Sequence, residues 1–301
     1  MNLRDLEYLI ALTEERHFHR AAERCFVSQP TLSAQIKKLE QELGVTLVER
    51  NGRQIAITDV GEAVAEQARR VITEAKAVKQ VARSYADPLA GDLAIGVIPT
   101  IAPYLLPLLI PQLRRRAPQL RLFLHEYQTA ILLERLAWAE LDLLILALPL
   151  EPHNFVERDL YREPFLLAVS EDDPLAQQPE AQLTDLDQRE VLLLEEGHCL
   201  RGQALDICLQ SGASEYGGFR ASSLETLRQM VAEGIGITLM PALALHGRAA
   251  VRYLPFHAPV PNRRVGLLYR RASPRISAFN VIGEAINHCV AERLSIAQRH
   301  S

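Results

Sequence analysis

Leu192-Leu193-Leu194-Glu195-Glu196-Gly197-His198-Cys199-Leu200-Arg201 is an apolar run of strand character that breaks at a glycine and resumes with helical spacing. Leu200, Ala204, Ile207 and Cys208 mark the helix that follows. Strand, tight turn and helix together are the repeating unit of an α/β fold. The turn puts Cys199 near a helix N-terminus, where unpaired N–H groups and the helix dipole favour negative charge. His198 and Arg201 flank it, so the sequence offers the thiolate two possible cationic neighbours. Cys208 lies nine residues further on. Along one helix that is about two and a half turns, with the sulfurs on opposite faces and the Cα atoms ~13 Å apart. A disulfide needs Cα atoms roughly 4.4–6.8 Å apart. If both cysteines are on that helix, they can join only when it comes apart, and the segment is a candidate switch.

The same alternation extends over 91–301. Strands are expected at 93–98, 120–126, 141–148, 165–170, 219–221, 237–240 and 265–270, with helices at 101–116, 131–139, 224–233 and 276–294. This predicts mainly parallel sheets covered on both faces. Two lobes joined by strand crossings near 161–164 and 265–266 would enclose a cleft. Ligands in open α/β sheets sit beyond the strand C-termini, at helix N-termini. Four such junctions are polar: Pro99-Thr100, Gln128-Thr129, His198-Cys199 and Ser222-Ser223. Each hydroxyl reads equally well as an N-cap.

The chain has 301 residues, enough for two or three domains. Its 48 % apolar and 23 % charged content is that of a soluble globular protein. A net charge of −4 argues against a general polyanion binder but allows a local basic patch. The first twenty residues carry seven charged side chains, and no apolar run reaches membrane-spanning length. Neither a signal peptide nor a membrane partner is expected, so the chain reads as cytoplasmic, with reduced thiols at rest. Four cysteines do not make a disulfide framework, and Cys25 and Cys289 lie on helical patterns as core thiols. His198, Cys199 and Cys208 lack zinc spacing and a fourth ligand, so no metal or cofactor is expected.

Residues 1–58 carry a different pattern. Leu6, Leu9, Ile10 and Thr13 mark one helix and Phe18 to Cys25 a second; Ser28 caps a third on which Leu32, Ile36, Leu39 and Leu43 share a side until Gly44 stops it. Pro30 fits the first turn. This is a helix-turn-helix. Residues 16–38 hold five basic side chains against Glu23 alone, where a phosphate backbone would pass. Asn51-Gly52 between two β-prone runs then predicts a hairpin wing tipped by Arg50 and Arg53. From Thr58 a long helix carries Val64, Ala68, Val71, Ala75, Val78, Ala82 and Tyr85 at alternating spacings of four and three. That is a heptad seam, read as a homodimer contact.

Phe18-His19-Arg20-Ala21-Ala22, Val27-Ser28-Gln29-Pro30-Thr31-Leu32-Ser33, Leu39-Glu40, Leu43-Gly44 and Leu47-Val48-Glu49-Arg50 resemble the winged helix-turn-helix of LysR-type transcriptional regulators. The resemblance implies a DNA-binding domain at 1–58, a linker and dimerisation helix at 59–88, and an effector domain at 89–301. The last has the two-lobed α/β architecture of periplasmic binding proteins, with lobe I at about 89–161 and 268–301 and lobe II at about 162–267. It also implies that Gln29, Pro30, Thr31, Ser33 and Gln35 face the major groove of promoter DNA, while Lys37, Arg50 and Arg53 hold its backbone or minor groove.

Gly197-His198-Cys199-Leu200-Arg201, Gln203-Ala204 and Cys208 resemble the redox loop of the peroxide-sensing members of that family. Gly96-Val97-Ile98-Pro99-Thr100, Pro103-Tyr104-Leu105-Leu106-Pro107, His125-Glu126 and Ser223-Leu224-Glu225-Thr226-Leu227-Arg228 extend the likeness. By resemblance, hydrogen peroxide oxidises Cys199 to a sulfenic acid that Cys208 converts to a disulfide. Thr100, Thr129, His198 and Arg263 would line the peroxide pocket. The protein would be a regulator and not an enzyme, a tetramer that engages RNA polymerase. The competing reading is a regulator of another small-molecule effector with inert cysteines. One departure stands in the loop: Gly202 follows Leu-Arg where an acidic residue is common, which loosens the first helical turn.

Overall fold

Asn2 and Asp5 open the first helix by exchanging side-chain and backbone hydrogen bonds, a capping box that starts α1 (Leu3–Glu15). The computed structural model describes residues 1–51, 54–150, 154–245 and 250–297. The chain divides into two compact units, Met1–Ala82 and Arg83–Ser301.

In the first unit, α2 (Phe18–Arg24) turns Phe18, Ala21 and Ala22 inward, and the small alanines let it pack close to its neighbours. Ser28 Oγ accepts from the Thr31 N–H to cap α3 (Gln29–Leu43), which Gly44 ends at φ +71°. Leu32, Ile36 and Leu39 are buried as expected, whereas Leu43 at the helix end is 38 % exposed. The wing is β1 (Val48–Asn51) paired antiparallel with β2 (Gln54–Ile57), Asn51 opposite Gln54. Glu40 fixes this hairpin to α3 by accepting the N–H groups of Leu47 and Val48 at 2.8 and 3.0 Å. Gly52 and Arg53 lie outside the described residues, as does the Arg50 side chain.

Thr58 Oγ1 accepts from the Gly61 N–H and caps α4 (Asp59–Ala86). The expected heptad seam divides in two. Ala68 packs with Leu6 and Ile72, and Val64 packs on the head's core, so both are spent within their own unit. Further along, Val71, Val78 and Ala82 are exposed, Val78 at 70 %. The side chain of Tyr85 lies outside the described residues.

The second unit runs β3 (Gly91–Val97), α5 (Ala102–Arg116), β4 (Leu120–Glu126), α6 (Thr129–Ala137), β5 (Leu143–Leu148), β6 (Phe155–Ser170), β7 (Glu190–Leu194), α7 (Cys199–Ser211), β8 (Ser214–Ala221), α8 (Leu224–Ala232), β9 (Thr238–Pro241), β10 (Val251–Pro255), β11 (Asn262–Arg270) and α9 (Ile276–Ala297). Seven strands form a sheet in the order β10-β6-β11-β5-β3-β4, with β9 also on β6, and β7 pairs with β8. Among the strand pairs of the described residues, β3 with β4, β3 with β5 and β7 with β8 are parallel; the pairings of β6 and β11 are antiparallel. The expectation of mainly parallel sheets is therefore corrected. The expected crossings near 161–164 and 265–266 fall inside β6 and β11, two long strands that pair with each other and belong to both lobes.

Three apolar clusters set the position of α7. One holds Ile95, Leu105, Leu144, Val265 and Phe279, with Cys199 packed at its border. A second contains Leu167, Leu193, Leu239 and Cys208, and a third Phe165, Leu194, Leu200, Leu227 and Met240. The two cysteines therefore belong to different cores at opposite ends of one intact helix. All four cysteines are free thiols. A Cβ on Gly202 would meet open space, so this glycine makes no close contact that a side chain would disturb.

Candidate functional site

Helix N-termini leave N–H groups without intrahelical partners, and an N-cap side chain usually takes one of them. Of the four polar junctions, only Ser223 does so, accepting from the Thr226 N–H at 3.2 Å. Ile101 before α5, Gln128 before α6 and His198 before α7 make no side-chain cap. The polar residues at those three ends are used across the fold instead. Thr129, first residue of α6, lies 2.7 Å through Oγ1 from the Sγ of Cys199, first residue of α7. Two helix N-termini thus meet at one sulfur, and the Thr129 hydroxyl can donate to a thiolate there. Gly197 holds φ +91°, and a Cβ on it would run into the Gln128 side chain. Glycine is needed for both the turn and this approach. Gln128 Nε2 in turn donates to the Glu196 carbonyl at 3.4 Å, which ties the cysteine loop to α6.

Thr100 is positioned from the sheet. β6 and β11 set Glu163 opposite Arg263. Arg263 is 2 % exposed and Glu163 0 %, and their side chains approach to 2.7 Å. Arg263 also donates through Nη1 to Thr100 Oγ1 at 3.0 Å and through Nη2 to the Thr100 carbonyl at 3.1 Å. Glu163 accepts the Leu243 N–H at 2.8 Å as well. Because Thr100 Oγ1 accepts from a cation, its own proton is left to donate.

The two cationic neighbours expected for Cys199 are not available. Arg201 donates to both carboxylate oxygens of Glu215 at 2.7 Å and to the Leu194 carbonyl at 3.2 Å. Its charge is committed to this carboxylate on β8. Burial pushes the His198 imidazole below its ordinary range, with Glu195 opposing more weakly, so the ring is neutral at pH 7. What remains at Cys199 is hydrogen bonding and helix-end polarity. Burial pushes the Cys208 thiol up to about 11.

Hydrogen bonds from Arg201 hold the Glu215 carboxyl at about 2, with Arg220 adding to them at 3.1 Å. A carboxyl depressed from 4.5 stabilises the fold fully above pH 4.5 and loses that contribution as pH falls through about 2. Between those values the melting temperature of the wild type is expected to fall. Glu215→Gln should make that stretch shallower; thermal melts from pH 5 to 2 with superimposable slopes would show that the pair contributes nothing.

From sequence, Gln203 belongs to the redox-loop resemblance but carries no assigned role. It stands one turn after Cys199 on the same helix face, and its Oε1 is buried with no partner among the described residues. The i, i+4 spacing was the available signal. In the reading head, Gln29, Pro30, Thr31 and Lys37 are exposed, and Ser33 and Gln35 half-buried. Their shared helix presents a polar face of the kind that enters a major groove. Among the described residues, no cluster of side chains could hold a metal ion, and no helix is long and apolar enough to cross a membrane.

Residues 3–62 match the bacterial regulatory helix-turn-helix protein, lysR family, and residues 86–288 the LysR substrate binding domain. The DNA-binding transcriptional dual regulator OxyR of Escherichia coli (strain K12) is 51 % identical over 289 residues, 95 % of each chain. The hydrogen peroxide-inducible genes activator of Pectobacterium carotovorum subsp. carotovorum is 49 % identical over 95 % of this chain and 96 % of its own. Among solved structures, a full-length OxyR cysteine-to-aspartate mutant from Pseudomonas aeruginosa superposes with a TM-score of 0.75 at 40 % identity, covering 95 % of this chain and 98 % of that one. A hydrogen peroxide-bound cysteine-to-serine mutant of Corynebacterium glutamicum OxyR gives a TM-score of 0.69 at 32 % identity, covering 99 % and 95 %.

Proposed function

The chain belongs to the LysR family of bacterial transcriptional regulators, and from that premise we propose that it is a DNA-binding activator of antioxidant genes that senses hydrogen peroxide through Cys199. The observation that carries this reading is the meeting of the α6 and α7 N-termini at the Cys199 sulfur, 2.7 Å from Thr129 Oγ1, with Cys208 buried at the other end of the intact α7. Relatives named for peroxide induction, about half identical over nearly the whole chain, support it.

The chemistry runs in two steps. The Cys199 thiolate attacks one peroxide oxygen; the S–O bond forms, the O–O bond breaks, and the departing hydroxide takes a proton to leave as water. Thr129 orients the thiolate, Thr100 donates to the departing oxygen under the pull of Arg263, and neutral His198 and Gln203 complete the polar wall. The Cys208 thiolate then attacks the sulfenic sulfur; the S–S bond forms, the S–O bond breaks, and a second water leaves. Two barriers delay that step. The two cysteines are separated by nine residues of α7, ~13 Å along its axis, and a thiol pushed up to about 11 stays protonated in its core. Both fall only when α7 unwinds and Cys208 reaches water.

The output belongs to the rest of the chain. Residues 1–58 read promoter DNA through Gln29, Pro30, Thr31, Ser33 and Gln35, with Lys37, Arg50 and Arg53 on the backbone or minor groove. The open face of α4 around Val71 and Val78 dimerises, and dimers pair into a tetramer that engages RNA polymerase in the cytoplasm. The protein regulates and does not turn over a substrate.

Thiol mapping by mass spectrometry before and after one equivalent of peroxide tests the reading. The expected result is four free thiols converting to a single Cys199–Cys208 disulfide, with Cys25 and Cys289 unchanged. Four thiols that persist would sink it.

A further inference from the structure

Tyr161 is a half-buried titratable residue that the reaction above does not use. Its hydroxyl is fully buried and has no hydrogen-bond partner among the described residues. A buried polar group left unmatched costs more than a typical hydrogen bond gains, so native folds rarely keep one without a bound molecule. The register shows what lies nearby. Tyr161 and Glu163 are two residues apart on β6, hence on one face, and their partners across the ladder are Val265 and Arg263. Burial and the Glu163 carboxylate push the phenol well above its ordinary range, and Arg263 opposes them, so the hydroxyl lies within electrostatic reach of that pair. It stays protonated and offers one donor and two lone pairs.

Arg263 has capacity to match. A guanidinium carries five N–H donors. Nε donates to Glu163 at 2.8 Å, Nη2 serves Glu163 and the Thr100 carbonyl, and Nη1 donates to Thr100 Oγ1. One N–H on Nη1 is left without an acceptor among the described residues. An unmatched hydroxyl and an unmatched guanidinium N–H stand on the same face of the same two strands. We propose that Tyr161 and Arg263 together hold one small hydroxylic molecule, water or hydrogen peroxide, in a buried site beside Thr100. Such a molecule has both a donor for the phenol oxygen and lone pairs for the guanidinium, and polar partners on two sides are what a buried water requires. Water would make the site a fixed structural support that matches the two polar groups and takes no part in the oxidation, since Arg263 is already held on Thr100 by two hydrogen bonds. Peroxide would make it an inner station of the sensor pocket, an arm that rests on the function proposed above.

Tyr161→Phe, which removes one oxygen and keeps the ring, tests the site in the full-length reduced protein. With a bound molecule, the variant removes one of its two holds, the molecule is lost and the Arg263 N–H is left unmatched, so the variant should melt about 2–6 °C below the wild type. A high-resolution crystal structure of the wild type should then place an ordered oxygen within about 3.2 Å of Tyr161 Oη, and the variant should lose it. A variant that melts at or above the wild type, with no such oxygen in the wild-type crystal, overturns the proposal, because deleting an empty-handed hydroxyl relieves the fold. The second-order rate of Cys199 oxidation separates the two occupants: about tenfold slower in the variant for peroxide, unchanged for water. Should wild-type Cys199 not react with peroxide at all, the sensor reading fails, while the melt and the crystal still decide the site.

Discussion

Replacing Cys199 by serine is expected to reduce peroxide-dependent transcription to the uninduced level while leaving operator binding by the reduced protein unchanged. The serine keeps the 2.7 Å contact with Thr129 and the start of α7, so the resting fold has no reason to change. What disappears is the only group at that helix junction able to give two electrons to an O–O bond near neutral pH; a serine hydroxyl is a poor nucleophile without an adjacent base. The measurement is a promoter reporter in cells given a peroxide pulse, paired with a gel-shift of reduced protein. A serine variant that still induces normally would remove Cys199 from the mechanism, and one that fails to bind DNA would mean the cysteine is structural. Cys208→Ser separates the two steps further: the first oxidation proceeds, and the sulfenic acid on Cys199 lingers or over-oxidises because no second thiol resolves it.

The largest expected loss of stability comes from Glu163→Ala. Arg263 is buried at 2 % exposure, and Glu163 is its only carboxylate partner among the described residues. Breaking a buried pair by deleting one member leaves an uncompensated charge and costs about 3–5 kcal/mol. For a unit of this size that corresponds to a fall in melting temperature of roughly 6–20 °C. The Leu243 N–H, bonded to Glu163 at 2.8 Å, is orphaned in the same stroke. The double variant Glu163→Leu with Arg263→Met removes both charges at similar volume. It should recover most of the lost stability, since apolar replacement of an ion pair is often neutral or better. Its oxidation rate should stay low, because Thr100 has lost the cation that polarises its hydroxyl. Recovery of stability without recovery of rate would identify the pair as a device for positioning Thr100. A double variant that reacts at the wild-type rate would reduce the pair to a structural fastening.

Helix spacing and turn chemistry carried much of this fold in one dimension. Ser28, Pro30 and Gly44 bracket α3 as capping rules require, and the β-prone runs around Asn51 pair as a hairpin. The strand-turn-helix at Leu194 to Cys199 is local in the same sense, since Gly197 at φ +91° permits the turn wherever the rest of the chain lies. Cys199 at a helix start and Cys208 further along one helix follow from spacing alone. Strand direction did not follow: β6 and β11 belong to both lobes and run antiparallel, and β10 carries too weak a pattern to read. Nor could the heptad on α4 reveal that Val64 and Ala68 face their own unit, because its period is the same whichever chain supplies the partner.

The sequence by itself determined the reading helix, the wing strands, the α/β character of the larger unit and the two thiols on one helix, because caps, turns and side-chain periodicity act over a few neighbouring residues. Tertiary structure decided the electrostatics of the site. Arg201 stands beside Cys199 in sequence but spends its charge on Glu215, while Arg263, more than sixty residues away, reaches Thr100. Charges interact through space, over a few ångströms, and only the packed sheet fixes which of them come that close.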